Sequence, residues 1–159
     1  MIQIQSFTFG PFQENTYILH DENRDAILID PGMYDAHEAQ QFFQYIDQHQ
    51  LSPVLLLNTH THLDHLSGNA VVLQRYQIPY TFHQADHPVF EHQLDAARMY
   101  GFQLQPSPQP DYFIQEGETI SLGKSTLDIL FTPGHSPGSV CFYNREAGWL
   151  IGGDVLFRG

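Results

Sequence analysis

Apolar residues follow two different periods along this chain. Ile2, Ile4, Phe7 and Phe9 nearly alternate, and short apolar runs follow at 16–19 and 26–29, so the first thirty residues predict three strands. Gly10-Pro11 and Glu22-Asn23 punctuate them, and Asp30-Pro31-Gly32 ends the third. Asp35 is then placed to cap a helix over 36–49, whose Phe42, Phe43 and Ile46 share one face. The continuous run Val54-Leu55-Leu56-Leu57 predicts a strand over 53–57 buried on both faces. After a histidine-rich turn come a helix over 67–76, a strand over 79–82, and a helix with Pro88 in its first turn running to Tyr100. The proline-rich stretch 103–110 reads as a loop inside the domain. Four strands follow, at 119–122, 125–131, 139–143 and 149–152. Strands alternating with helices and then a β meander predict a mixed α/β sandwich in a single domain, 1–159.

Composition narrows the function. Six Lys and Arg against eighteen Asp and Glu give a formal net charge of −12. That argues against a phosphate-binding surface, because nucleic-acid affinity comes mostly from Lys and Arg, and against docking on an anionic membrane. No apolar stretch is long enough to span a bilayer, and the first ten residues lack the basic head of a signal peptide, so the cytoplasm is the expected location. The single cysteine cannot form an internal disulfide. Ten histidines outnumber the six Lys and Arg together, and neutral imidazole is the commonest metal ligand.

The histidines concentrate in Asn58-Thr59-His60-Thr61-His62-Leu63-Asp64-His65. If the chain stays extended here, His60, His62 and Asp64 project to one side, and His65 joins them only after a bend. Three imidazoles and a carboxylate suit zinc, and four ligands in one segment suggest two ions. Further ligands are then expected at other strand ends. His135 in Thr132-Pro133-Gly134-His135 and Asp154 in Gly152-Gly153-Asp154 are the candidates, the second with small neighbours that permit close approach.

Together, His60-Thr61-His62-Leu63-Asp64-His65, Thr132-Pro133-Gly134-His135 and Gly153-Asp154 resemble the metallo-β-lactamase superfamily. Gly10-Pro11-Phe12-Gln13-Glu14-Asn15-Thr16-Tyr17 and Asp30-Pro31-Gly32 are similar to its glyoxalase II (hydroxyacylglutathione hydrolase) branch. The resemblance implies an αββα four-layer sandwich with a two-metal site at one edge of its sheets. It implies that His60, His62 and His135 hold the first metal, Asp64 and His65 the second, and Asp154 both. The implied cofactor is zinc, with iron or manganese as alternatives. The implied reaction is hydrolysis of a small-molecule thioester by a metal-bridging hydroxide, with Asp64 as the catalytic residue that orients it.

The family has a further histidine late in the chain, and this sequence ends before one. The expectation is therefore an αββα fold incomplete in its C-terminal half, an incomplete second site, and exposed sheet surface that favours association. Other readings compatible with the pattern are a persulfide dioxygenase with one iron on two histidines and an aspartate, a lactonase, and an inactive metal-binding fragment. Among the remaining histidines, His20, His37 and His49 are expected to be solvated, and His87 and His92 to lie on the surface. His83 follows a strand, so the surface and a place behind the metal ligands both stay open for it. Cys141 is expected to be a small buried apolar residue.

Overall fold

In the computed structural model, which describes residues 1–154, the alternating start of the chain folds as an antiparallel meander. Its strands are β1 (Gln3–Phe9), β2 (Glu14–His20) and β3 (Asp25–Ile29). Asp35 takes an extended conformation and its Oδ1 accepts the Glu38 N–H at 2.8 Å, which starts α1 (Ala36–Gln48) as the capping signal predicts. Phe42, Phe43 and Ile46 are its buried residues. The chain then returns parallel to β3 as β4 (Ser52–Leu57), with Ile27 opposite Leu55 and Ile29 opposite Leu57.

Strand β4 is not buried along its whole length. Leu56 and Leu57 are fully enclosed, but Val54 is 41% exposed. The reason is the neighbour: β5 (Tyr80–His83) pairs only with Leu56 and Leu57, so the start of β4 projects past it. Each of the two predicted helices is broken. The first is α2 (Leu63–Leu66) followed by α3 (Asn69–Tyr76), interrupted where the Gly68 N–H donates to the Pro31 carbonyl at 2.6 Å. The second is a 3-10 turn (Gln84–Asp86), α4 (His87–Glu91) and α5 (Gln93–Met99), interrupted at His92, whose ring Nδ1 lies 2.7 Å from the Pro88 carbonyl. A three-residue strand absent from the sequence pattern, β6 (Tyr112–Ile114), completes the order β1-β2-β3-β4-β5-β6. The remaining strands, β7 (Thr119–Leu122), β8 (Ser125–Phe131), β9 (Val140–Asn144) and β10 (Trp149–Ile151), form a second, antiparallel sheet of order β10-β9-β8-β7.

Strand alternation explains the layers. Ile18, Leu28, Leu56 and Phe82 point from the first sheet onto Phe42 and Ile46 of α1, Val72 of α3 and Phe90 of α4. Their sequence neighbours Leu19, Ile27, Ile29 and Leu57 point the other way, onto Leu127, Ile129, Val140 and Phe142 of the second sheet. The result is an α/β sandwich of helices, sheet and sheet. Among the described residues no helix covers the outer face of the second sheet. The strand ends at one edge, after β4, β5, β8 and β10, converge on the site described next.

Candidate metal centre

The segment leaving β4 keeps its two-residue period for five residues. Thr59 and Thr61 turn inward, while His60 and His62 turn toward the edge of the sheets. Two buried carboxylates hold the inward side. Asp30 Oδ1 accepts the Thr59 N–H at 2.8 Å and Asp30 Oδ2 accepts the Thr59 hydroxyl at 2.6 Å. Asp86 Oδ2 accepts the Thr61 N–H at 2.5 Å and the Thr61 hydroxyl at 2.7 Å. The extended run stops at His62, not at Asp64: the His65 N–H donates to the His62 carbonyl at 2.9 Å, and α2 begins. This helical turn is the bend that His65 requires, and it carries Asp64 and His65 together.

All six residues singled out in the sequence meet here. His60, His62, His135 and Asp154 each offer one ligand atom, all within 4.8 Å of one another, and Asp64, His65 and Asp154 form a second such group. His62 Nδ1 lies 3.1 Å from His135 Nε2, and Asp154 Oδ2 lies 2.9 Å from His135 Nε2, 3.4 Å from His60 Nε2 and 3.2 Å from His65 Nε2. Asp64 Oδ2 is 3.6 Å from His65 Nε2. Asp154 reaches this point because Gly153 takes φ +54° and passes so close to Thr59 that a side chain there would collide with it.

The donors fit a cation. Ligands about 2.0–2.1 Å from a tetrahedral ion stand about 3.3 Å apart, which matches these separations. His60 Nε2 is buried and has no hydrogen-bond partner. The Thr59 hydroxyl has one hydrogen, already given to Asp30, so against His60 Nδ1 at 3.1 Å it can only accept. The proton of His60 therefore sits on Nδ1 and leaves Nε2 bare. Asp30 also faces His65 directly, with Oδ2 3.0 Å from Nδ1, and so directs His65 Nε2 at the shared carboxylate. One aspartate thus orients an imidazole in each donor group.

Charges in the site are strongly coupled. Burial disfavours ionising Asp154, but the His60 and His65 imidazoles beside it outweigh that and hold the carboxyl far below its ordinary range. Burial opposes the charge on His65, yet Asp30 and a hydrogen bond with Asp154 raise its pKa well above the usual value. His62 moves down through burial and the adjacent His60 and His135. Glu14, enclosed beside His65 with Oε2 3.8 Å from Nδ1, is pushed well up by burial despite the opposing pull of His65 and Thr16.

Three contributors carry no metal-site signal of their own in the sequence, although Glu14 and Asp30 lie within the segments that resemble the family. Asp30 looks like a strand stop, Asp86 like a helix cap, and Glu14 like part of a turn. Each becomes functional only through partners distant in the chain. Of the other histidines, His37, His49 and His92 are exposed as expected, whereas His20 departs from expectation. His20 is buried, with Nε2 2.9 Å from the Tyr45 hydroxyl. His83 Nδ1 accepts the Ala85 N–H and its ring stacks on Phe131, so it serves the turn before α4. His92 lines the cavity above the metal-ligand candidates.

That cavity, about 790 Å³, is lined by five of the six residues, His62, Asp64, His65, His135 and Asp154. Its walls include Phe12 from the β1–β2 turn, Leu63, and Val89, Ala96, Met99 and Tyr100 from α4, α5 and the residue after it. Phe12 and Tyr100 meet edge to face, 5.6 Å between centroids.

Two overlapping donor groups at the edge of a ββ sandwich define a metal-dependent enzyme class. Residues 9–159 match the metallo-beta-lactamase superfamily, and the chain belongs to it. It is 36% identical to the probable metallo-hydrolase YqgX of Bacillus subtilis over 152 residues, 94% of this chain and 69% of that protein. It is 34% identical to the hydroxyacylglutathione hydrolase GloC of Haemophilus influenzae over 160 residues, 99% of this chain and 74% of that one. The crystal structure of TTHA1623 in a di-iron-bound form superposes with a TM-score of 0.85 at 34% identity, covering 98% of this chain and 74% of that one. The family and the His/Asp cluster imply bound metal ions. No helix among the described residues is long and apolar enough to cross a membrane.

Proposed function

We propose that this chain carries the active site of a metal-dependent thioester hydrolase of the hydroxyacylglutathione hydrolase type. The observation that carries the reading is the sharing of Asp154 between two donor groups at the floor of a cavity with apolar walls. The likeness to GloC supports the thioester. His60, His62 and His135 with Asp154 would hold one ion, and Asp64 and His65 with Asp154 the other. Zinc suits these nitrogen and oxygen donors, and the di-iron form of TTHA1623 makes iron the second choice.

Divalent cations bound there would supply acidification of water near neutral pH and polarisation of a carbonyl. The protein supplies position and charge. Asp30 fixes the tautomers of His60 and His65, so both Nε2 atoms face the centre. Asp154 stays ionised between them. Asp64, whose side chain is only partly covered, orients the attacking water from the cavity side. Phe12, Met99 and Tyr100 exclude solvent from one side of the substrate and offer apolar surface to its acyl or thiol part. A thiolate leaves readily near neutral pH, so the site can dispense with a strong general acid.

The test is hydrolysis of S-lactoylglutathione and simpler acyl thioesters by zinc-loaded protein, with elemental analysis of the same sample. Turnover is expected to vanish with chelator, to return with zinc, and to fall at least about 100-fold in His60→Ala and in Asp64→Ala. Full turnover in either variant would reject the assignment. Oxygen uptake with a persulfide by an iron-loaded sample would replace hydrolysis with dioxygenation.

A further inference from the structure

We infer that Asp86 is a positioning residue that locks the loop bearing His60 and His62 to the loop bearing His135, and so sets the geometry of the first metal site. The inference rests on reading those three histidines as ligands.

Asp86 sits where an aspartate normally caps a helix, at the start of α4, yet its side chain makes no capping hydrogen bond. It is wholly buried and turned toward the two loops instead. Oδ2 accepts the N–H and hydroxyl of Thr61, the residue between His60 and His62. Oδ1 accepts the Gly138 N–H at 2.9 Å and the hydroxyl of Ser136, the residue after His135. Four donors thus meet the four acceptor positions of one carboxylate. The approach is close enough that any side chain at Gly138 would collide with the backbone and Cβ of Asp86.

Asp86 therefore touches no candidate ligand but adjoins all three imidazoles through their chain neighbours. Residues 61 and 136 lie far apart in sequence, and among the described residues one further backbone bond, from the Val140 N–H to the Thr59 carbonyl at 2.9 Å, ties the same part of the chain. Asp86 also stands at the root of α4 and α5, which carry Val89, Ala96 and Met99 into the cavity wall. The same carboxylate sets the wall in register with the floor. Its hydrogen bonds outweigh burial and keep it ionised, in agreement with an all-acceptor role.

Asp86→Asn tests this sharply. An amide keeps the shape but replaces one oxygen by a donor, and on either side that donor faces a backbone N–H that cannot turn round. One loop must let go. Cobalt(II) titration should show first-site affinity reduced about 10-fold or more, with an altered visible spectrum. Ser136→Ala removes only one hydroxyl from the His135 side, and should change the spectrum in the same sense but less, in a metal-free protein that melts as the parent does. It decides the question if Asp86→Asn does not fold. A parental spectrum and affinity in the folded variants, even with lower melting temperatures, would make Asp86 a structural tie only and overturn the inference. A parent protein that binds no cobalt would overturn the ligand reading, and the inference with it.

Discussion

Single residues in this chain take their properties from burial, and His20 shows how far that departs from a surface histidine. Tyr45 stacks on His49 with centroids 4.0 Å apart, and both crowd the His20 ring. Burial, then the neighbouring His49, lower the pKa of His20. The unfolded chain takes up a proton near pH 6.5, where the folded chain still refuses it. Stability should therefore fall as pH drops below about 6.5 and level off once the folded ring is protonated as well. His20→Phe removes this dependence. Urea unfolding with chelator present, at pH 7.5 and pH 5, should show the variant losing less stability on acidification than the parent, and equal losses would refute the effect. The same scale marks the limit of reading from sequence. His60, His62, Asp64 and His65 announce themselves by clustering, whereas Asp30 and Asp86 act on residues 25 or more positions away and look like ordinary turn formers. Only the folded chain shows that their oxygens face the ligand loops.

At the scale of elements, start signals were more legible than continuity. Asp35 and the apolar face of α1 define that helix from sequence, and β1, β2, β3, β7 and β8 lie close to the ranges their apolar patterns predict. The breaks at Gly68 and His92 were hidden because each depends on a carbonyl acceptor, one of them remote. Strand β6 was hidden because three residues are too few to establish a period. Helix α1 also reaches the site by a route its own pattern does not show. Glu38, in its first turn, accepts the Tyr34 N–H at 2.9 Å through Oε1 and the Gly10 N–H at 2.9 Å through Oε2, tying the helix to the β1–β2 turn. That turn presents Phe12 to the cavity. Glu38→Ala should free it: the expected result is a several-fold higher KM for thioesters with kcat nearly unchanged, and a stability loss of about 1 kcal/mol from the lost hydrogen bonds. A drop in kcat at constant KM would mean that the turn bears on the chemistry and not on substrate binding.

The whole molecule carries a formal net charge of −12, and Asp30, Asp64 and Asp154 concentrate part of it around four imidazoles in one small region. Cations bound there act on stability in two separable ways. They bind the folded state alone, which contributes about 4 kcal/mol when free metal stands 1,000-fold above Kd. They also neutralise charge that would otherwise repel itself across the acidic surface. Salt distinguishes these. The Debye length is about 10 Å at 0.1 M, so sodium chloride screens exposed carboxylates but does not coordinate buried imidazoles. Chelation should lower the melting temperature by roughly 10 °C for a domain of this size, and 0.5 M sodium chloride should restore only a small part of it. Micromolar zinc should restore nearly all. Full recovery in salt alone would mean that diffuse repulsion dominates and that the donor groups at Asp154 hold metal only weakly. An unchanged melting temperature on chelation would remove the tight centre altogether.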